Sequence, residues 1–389
     1  MSSVMQANCK DHPKMKILEQ FGEVFWSPSF WLPPNSTWEE FEHFENKDGH
    51  RIPDIQDLFF AWKFIPVILL IKYLIEKRVG VKVAEWAGIK QRRRERPPII
   101  DILEKAHHAK PCGIWREREL YALSKQLDWP KEDVEKWIRA RRRFAAPTTV
   151  EKFCESSWRF IFFICMFTYG LYAHWSKEWF WDFKLCWKNF PQPVTEDLYW
   201  YFIISLTNYS SWSISHFWDV QRKDPKIMMF HHFVTLTLLT AQWVTGFHRV
   251  GLLICLLHDV GDFWLELSKC LKYLGLVRTC QVMFVLFAVM WIITRNIIFP
   301  FYLIPCTYYH SPHNVSTSFP FSCLYGPCDI SSFNFTSTHA LIVVAVSLSL
   351  LHVYWTCLIF KVLYLAIFVG KLEDDTVSAS DESDDDDRN

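Results

Sequence analysis

Long apolar blocks separated by charged stretches are the feature that most limits how this chain can fold. A helix needs roughly 20 mostly apolar residues to cross the hydrocarbon core of a bilayer, and several blocks reach that length. The chain has 389 residues, of which 50% are hydrophobic. A soluble chain of this size would divide its apolar residues among about two or three separate cores. The pattern therefore predicts an all-α polytopic membrane protein.

Hydropathy predicts seven transmembrane helices, at residues 57–76, 155–175, 197–218, 230–247, 250–271, 277–304 and 339–365. Lys72 interrupts the first of them, and its ammonium is expected to extend toward the nearer membrane surface. No cleavable signal peptide is predicted, because the N-terminal segment lacks an apolar core. The first helix is therefore expected to act as its own insertion signal.

Two independent signals orient these helices. Basic segments follow the first, third, fifth and seventh helices, and the positive-inside rule makes that side cytosolic. Asn35, Asn314 and Asn334 begin glycosylation sequons, and all three fall on the opposite, luminal side. The predicted N-terminus is therefore luminal and the C-terminus cytosolic.

These expectations divide the chain into segments. They are a luminal N-terminal segment (1–56), a first transmembrane helix (57–76), a cytosolic helical segment (90–147), a transmembrane domain (150–366), an extended luminal loop within it (305–338) and an acidic cytosolic tail (367–389). The tail is predicted to be disordered. Its Ser378 and Ser383 each precede an aspartate by three residues, which suits an acidophilic kinase, and a plain solvated tail is the alternative. In the loop, Cys306, Cys323 and Cys328 predict one disulfide with one thiol left over.

Part of the cytosolic segment, "WPKEDVEKWIRARRR", resembles the third helix of a homeodomain. Trp137 would be its core aromatic residue and residues 141–143 its basic run. Ala140 stands where homeodomains carry an adenine-reading asparagine, and a methyl group cannot make those hydrogen bonds. We therefore expect no sequence-specific DNA binding. The basic face is expected to meet anionic membrane lipids or a protein partner instead.

Polar side chains recur at helical spacing on two neighbouring predicted membrane helices. They are His231, His232 and Thr235 on the fourth helix and His258, Asp259, Asp262 and Glu266 on the fifth. A charge at mid-bilayer costs at least about 2.5–3.5 kcal/mol, so such groups normally face a bundle interior or a water-filled cavity. The two stripes therefore predict a polar cavity that both helices share.

Several functions suit such a cluster. Metal ligation is disfavoured because repeated histidine boxes are missing, and a box of the fatty-acid elongase kind would need a histidine at Met228. A proton-coupled lipid transporter is one alternative, because intramembrane His and Asp also form proton relays. A lipid-sensing scaffold without catalysis is another. No Walker or dinucleotide motif is found, so no nucleotide cofactor is expected.

The pattern HH-x2-T-x13-R-x-G-x6-HD-x2-D-x3-E-x2-K-x3-Y, which starts at His231, resembles the longevity-assurance motif of ceramide synthases in the TLC-domain family. "FWLPP", "NSTW", "RKD", the pair Phe299 and Pro300, and the acidic tail extend the resemblance over most of the chain. It implies that the last six membrane helices form a barrel around a polar cavity in the endoplasmic reticulum membrane. It also implies acyl transfer from fatty acyl-CoA to a sphingoid base, and pairing into homo- or heterodimers.

By resemblance, the catalytic residues are His231, His232, Asp259 and Asp262. A histidine is suited to take a proton from the attacking amine, or to form an acyl-imidazole that the amine then resolves. Asp262 would orient that histidine and stabilise its imidazolium form. The supporting candidates are Thr235, Arg249, His258 and Glu266. The candidates to meet the phosphates of coenzyme A are Arg222, Lys223 and Lys226.

Three positions depart from the family pattern. Gln242 replaces a common serine, Gly246 replaces a common asparagine, and Gly261 is unusual. These changes are expected to alter substrate preference or reduce activity. The 305–338 loop, which the family associates with acyl-chain length, is also unusually long. A chain-length preference therefore cannot be carried over from the family.

Overall fold

The computed structural model describes residues 26–32, 37–39, 51–89, 95–110, 115–188, 190, 192–220, 224–311 and 336–369. In these ranges the regular structure is helical, and one antiparallel bridge joins Arg51 to Val194. In chain order the helices are α1 (Ile55–Lys63), α2 (Ile65–Leu74), α3 (Val81–Trp86), α4 (Asp101–Ala109), α5 (Glu117–Leu127), α6 (Lys131–Ala145), α7 (Thr149–Trp175), α8 (Glu196–Ser215), α9 (Pro225–Val244), α10 (His248–Tyr273), α11 (Val277–Trp291), α12 (Ile304–His310) and α13 (Ser337–Tyr364).

Shorter helical pieces complete the described chain. π-Helical stretches continue α2, α11 and α13 at Ile75–Gly80, Ile292–Leu303 and Leu365–Val369. The second of them contains Pro300, which cannot donate a helical hydrogen bond. Single turns lie at Pro28–Trp31, Glu178–Trp181 and Phe183–Trp187. A helix therefore lies over each segment that the sequence predicts to be a membrane helix.

Four helical segments are long and apolar enough to cross a membrane: Ile55–Trp86, Pro225–Val244, Val277–His310 and Ser337–Tyr364. In the described part of the chain, α7, α8 and α10 are comparably long but more polar. Their polar side chains are largely buried, as Glu155, Asn208 and Asp259 illustrate at 5%, 0% and 3% exposure. α7 packs along α10, and α8 packs against both α1 and α9. The polar side chains therefore point into a helical bundle.

Asp57 ties the start of α1 to two other helices. The helix begins at a capping box, in which Asp57 accepts a hydrogen bond from the backbone of Asp54. The same carboxylate accepts hydrogen bonds from the Tyr199 hydroxyl and the Trp243 indole, each at 3.1 Å. One buried carboxylate thus connects α1 with α8 and α9.

Lys72 does not extend to the membrane surface as the sequence predicts. Its side chain is buried, and its ammonium donates hydrogen bonds to Ser215 and Asp219 at the end of α8. Arg159 lies 2.9 Å from Glu155 and 3.7 Å from the second oxygen of Asp219. The prediction was wrong because a carboxylate from another helix reaches Lys72 inside the bundle and compensates its charge.

Helices α4, α5 and α6 pack into a small unit with its own core. The core residues are Leu103, Leu120, Val134, Trp137 and Ile138. The Trp137 indole donates to the Pro98 carbonyl at 2.8 Å, and Arg141 donates to Glu104 at 2.9 Å. That hydrogen bond from Arg141 lowers the pKa of Glu104. The first arginine of the basic run is therefore bound within the unit.

Several predicted sites lie outside the described residues. They are Asn35, Asn314 and Asn334; Ser378 and Ser383; Arg222 and Lys223; and Cys323 and Cys328. The predictions made for them stay predictions. The remaining cysteine of the predicted loop, Cys306, is buried in α12, and this helix continues to His310. The beginning of the predicted loop is therefore helical.

Candidate active site

A cavity of about 470 Å³ runs along the inside of the bundle. Its wall is formed mainly by α9, α10, α11 with its π-helical continuation, and α13, and most of the lining side chains are apolar. Lys269, Lys272 and Lys361 line one end, which we call the lysine end. Trp187 and Phe247 line the other, which we call the tryptophan end. The predicted polar groups lie between the two ends.

His231 and His232 both line this cavity from α9. Their ring centroids are 5.8 Å apart, and the His231 ring meets the Trp355 ring edge-on at 5.2 Å. The Nδ1 atoms of both histidines are buried without a hydrogen-bond partner among the described residues. Buried polar atoms are normally paired, so atoms left without a protein partner beside a cavity indicate a ligand or water site.

Asp262 lines the same cavity from α10 and is paired with an arginine from the next helix. An Oδ atom of Asp262 accepts a hydrogen bond of 2.6 Å from Arg295, which also donates to the His258 carbonyl at 2.8 Å. Arg295 is 4% exposed, and its guanidinium lies 4.3 Å from the centre of the Trp291 ring. This fixed cation offsets part of the cost of burying the carboxylate inside the bundle.

His258 lines the cavity and is paired on both ring nitrogens. Nδ1 donates to the Ile254 carbonyl at 2.6 Å, because a carbonyl oxygen can only accept. Nε2 lies 3.2 Å from Nε2 of His352, which is fully buried in α13. In a neutral pair, His352 therefore donates this hydrogen bond. His258 is held in one tautomer and connects α10 to α13.

Asp259 and Thr235 occupy different surroundings. Asp259 is not among the residues that line the cavity, and it accepts a hydrogen bond of 2.8 Å from the buried Tyr201 hydroxyl. Thr235 lines the cavity one turn beyond the paired histidines, and its hydroxyl has no partner in the described chain. The structure therefore groups Thr235 with the histidines and places Asp259 behind the wall.

The remaining predicted residues are spread over three places. Glu266 lines the cavity and pairs with Lys269 at 3.0 Å near the lysine end. Arg249 lies outside the cavity lining, with its guanidinium 3.4 Å from the Lys188 carbonyl. Lys226 is exposed and does not line the cavity either. Among the described lysines, Lys269 and Lys272 of α10 and Lys361 of α13 line the cavity instead of Lys226.

One of the three departures from the family pattern has a local explanation. Gly246 has a φ of 72°, in the left-handed region that glycine and asparagine both tolerate. A Cβ atom at Gly261 would lie 3.7 Å from the Arg295 guanidinium, which is an ordinary contact. Nothing in the structure therefore requires glycine at position 261.

Arg295 and His352 are site residues that sequence reasoning missed. Arg295 lies in "WIITRNIIFP" and His352 in "LLHVYW", both inside predicted membrane helices. An ionisable residue inside a membrane helix indicates a functional or pairing role, so the signal was present. In the described part of the chain, no group of three His, Cys, Asp or Glu side chains is placed to hold a metal ion.

Comparison with known proteins gives consistent matches over most of the chain. Residues 152–361 match the family model described as TRAM_LAG1_CLN8, TLC domain. Ceramide synthase 4 of Homo sapiens is 34% identical over 95% of this chain and 88% of its own length. Ceramide synthase 5 of Homo sapiens is 35% identical over 92% and 88%, respectively. Ceramide synthase hyl-1 of Caenorhabditis elegans is 27% identical over 90% and 82%.

Proposed function

Because the chain belongs to the ceramide synthases of the TLC-domain family, we propose that it transfers an acyl group from fatty acyl-CoA to the amino group of a sphingoid base. The observation that carries this proposal is one cavity lined by the Asp262 carboxylate and by two imidazoles, His231 and His232, whose Nδ1 atoms have no partner among the described residues. An apolar passage with a few polar groups at mid-length suits two lipid substrates that react at their polar ends.

The reaction requires proton transfer at the amine. The ammonium form must lose one proton before the nitrogen can attack the thioester carbon. A second proton leaves the nitrogen as the C–N bond forms and the C–S bond breaks. The departing thiolate takes up one of the two protons, so one is released overall. His231 or His232 is the base that accepts a proton, within reach of a substrate in the cavity.

A two-step route uses the same residues. One imidazole attacks the thioester first, coenzyme A leaves, and the amine then resolves the acyl-imidazole. Asp262 supplies negative charge that stabilises an imidazolium, while Arg295 lines the cavity and supplies positive charge for the developing oxyanion. His258 is a positioning residue in both routes, because its ring nitrogens are already occupied.

The same geometry supports an orientation in the membrane. We assign seven membrane helices by adding α7, α8 and α10 to the four apolar segments. The lysine end then faces the cytosol of the endoplasmic reticulum, in keeping with the positive-inside rule. Trp175 and Trp181 are exposed near the tryptophan end, as expected of residues at a luminal membrane surface. Helices α4 to α6 form the cytosolic homeodomain-like unit, with exposed basic residues such as Arg139 toward lipid headgroups or a partner.

The lysine end is suited to the phosphates of coenzyme A. Lys272 follows Asp262 by ten residues, which corresponds to about 15 Å along a helix. An extended pantetheine arm covers a similar distance between the thioester and the first phosphates. With the nucleotide held by Lys272 and Lys361, the thioester reaches the histidines and the acyl chain continues toward the tryptophan end.

Reversing the charge at the lysine end should weaken acyl-CoA binding. We expect Lys272→Glu and Lys361→Glu to raise the KM for acyl-CoA about tenfold each, because each removes one phosphate contact of roughly 1–3 kcal/mol. The kcat should change little. Steady-state kinetics in membranes, repeated at raised ionic strength, measures this, with Lys125→Glu as the control on an exposed lysine. A rise in KM for Lys226→Glu, without a rise for the other two variants, would contradict this assignment and favour Arg222, Lys223 and Lys226 as the phosphate-binding residues.

The proposed function is tested by product formation. Membranes that contain the chain are incubated with sphinganine and a panel of saturated acyl-CoAs, and the amide product is measured by mass spectrometry. We expect amide from at least one donor, at a rate proportional to the amount of the protein. If no donor of the panel gives product while the protein is folded, acyl-CoA-dependent transfer is excluded.

A further inference from the structure

Gln242 brings an amide group into the apolar part of the cavity. It follows His231 by eleven residues on α9, so it lies about 16 Å closer to the tryptophan end. Its side chain lines the cavity and is 5% exposed. Its amide nitrogen is buried and has no hydrogen-bond partner among the residues described. No described residue therefore holds this nitrogen in place by a hydrogen bond.

A glycine on the facing helix makes room for this side chain. A Cβ atom built on Gly251 would lie 0.7 Å from the Oε1 atom of Gln242. Only glycine is compatible with the observed position of the amide, because any other residue would occupy the same space. Gln242 and Gly251 thus form one interlocked contact between α9 and α10.

The contact between Gln242 and Gly251 lies near the tryptophan end of the cavity, at about the depth at which its lining by the other helices stops. Ile342 precedes His352 by ten residues on α13, a distance of about 15 Å, and both Ile342 and Gln242 line the cavity. Phe247 and Trp187 pack together at the tryptophan end, with ring centroids 5.2 Å apart. An extended chain advances about 1.2 Å per bond, so an acyl chain that starts at the histidines reaches Gln242 after about 13 bonds.

We propose that Gln242 is a specificity-determining residue whose volume, seated against Gly251, limits the length of the acyl chain that this enzyme accepts. This inference rests on the proposed acyl-CoA-dependent function. Acyl groups of about 14 carbons fill the passage from the histidines to Gln242, and longer groups must displace the side chain or bend. A serine side chain at this position would be smaller and would leave the passage open.

The experiment is a competition among acyl donors. Equimolar saturated acyl-CoAs of twelve to twenty-four carbons are offered together with sphinganine, and the acyl length of the products is read by mass spectrometry. For Gln242→Ser we expect the ratio of long to medium products to rise about tenfold, which is the usual discrimination from one or two methylenes in an apolar pocket. Gln242→Leu keeps the volume and should keep the wild-type distribution. Gly251→Ala pushes the Gln242 side chain into the passage and should shorten the products.

The outcomes separate the two proposals. An unchanged distribution in Gln242→Ser, with wild-type product present, overturns the role of Gln242 and leaves the proposed function intact. A Gln242→Leu variant that shifts as far as the serine variant overturns the volume explanation. A change in the preferred length of the sphingoid base, with acyl preference unchanged, overturns the assignment of this passage to the acyl chain. Absence of product from the wild-type protein is a failure of the proposed function.

Discussion

Replacing either His231 or His232 by alanine is expected to lower the rate of amide formation by about 10²–10⁴-fold, the usual contribution of a positioned acid–base group. Both imidazoles line the cavity, and each has a buried ring nitrogen that no described residue pairs. Alanine removes the group that accepts the proton from the amine or carries the acyl group. The rate is measured in membranes at matched protein level, with the acyl donor that the wild type uses best.

His108→Ala is the matched control, because His108 is an exposed histidine of the three-helix unit. It should retain the wild-type rate. The two cavity variants can also distinguish the routes. With labelled acyl-CoA and no sphingoid base, the two-step route leaves label on the wild-type protein, and only one of the two variants loses it. If both cavity variants kept the wild-type rate, neither histidine would be catalytic.

Arg295→Met should be the most destabilising single change at the site. It leaves Asp262 without the cation that donates a 2.6 Å hydrogen bond to it, and loss of one partner of a buried pair costs about 3–5 kcal/mol. The expected result is a clear fall in the thermal unfolding temperature of the protein in detergent. Arg139→Met, at an exposed arginine of α6, is the control and should leave this temperature unchanged.

A double variant separates charge compensation from catalysis. Asp262→Asn combined with Arg295→Met removes both charges, so most of the lost free energy of unfolding should return. Activity should not return, because no carboxylate remains to stabilise the imidazolium. If the double variant is no more stable than Arg295→Met alone, the ion pair is not what holds this part of the bundle together.

Helix positions were largely predictable from the sequence, because long apolar runs leave few other folds. Helices α7, α8 and α10 are more polar than the four apolar segments, although they pack into the same bundle. Their polar residues, such as Glu155 and Asn208, are buried against other helices rather than exposed to lipid. Hydropathy averages all faces of a helix, so it could place these helices but could not tell which of their polar residues point inward and what they contact.

The candidate site was predictable in part. The paired histidines and Asp262 belong to one motif within two adjacent helices, and the structure brings them to one cavity. Arg295 and His352 come from helices 33 and 94 residues away from their partners. No local spacing connects residues that far apart, so their pairing was visible only in three dimensions. The same holds for Lys361, which borders the cavity from the last helix.

The ion pair between Lys72 and Asp219 has a consequence for how the protein is made. The two residues are separated by 147 positions, so the ribosome completes α2 long before the carboxylate exists. Until α8 and Asp219 are made, the Lys72 ammonium has Glu76, 4.0 Å away one turn further along the chain, but lacks its hydrogen bonds to Ser215 and Asp219. A nascent chain that ends before Asp219 therefore carries a lysine without its partners from α8, the kind of feature by which unassembled membrane segments differ from assembled ones. Arrival of α8 and Asp219 supplies those partners and links the first helix to the rest of the bundle.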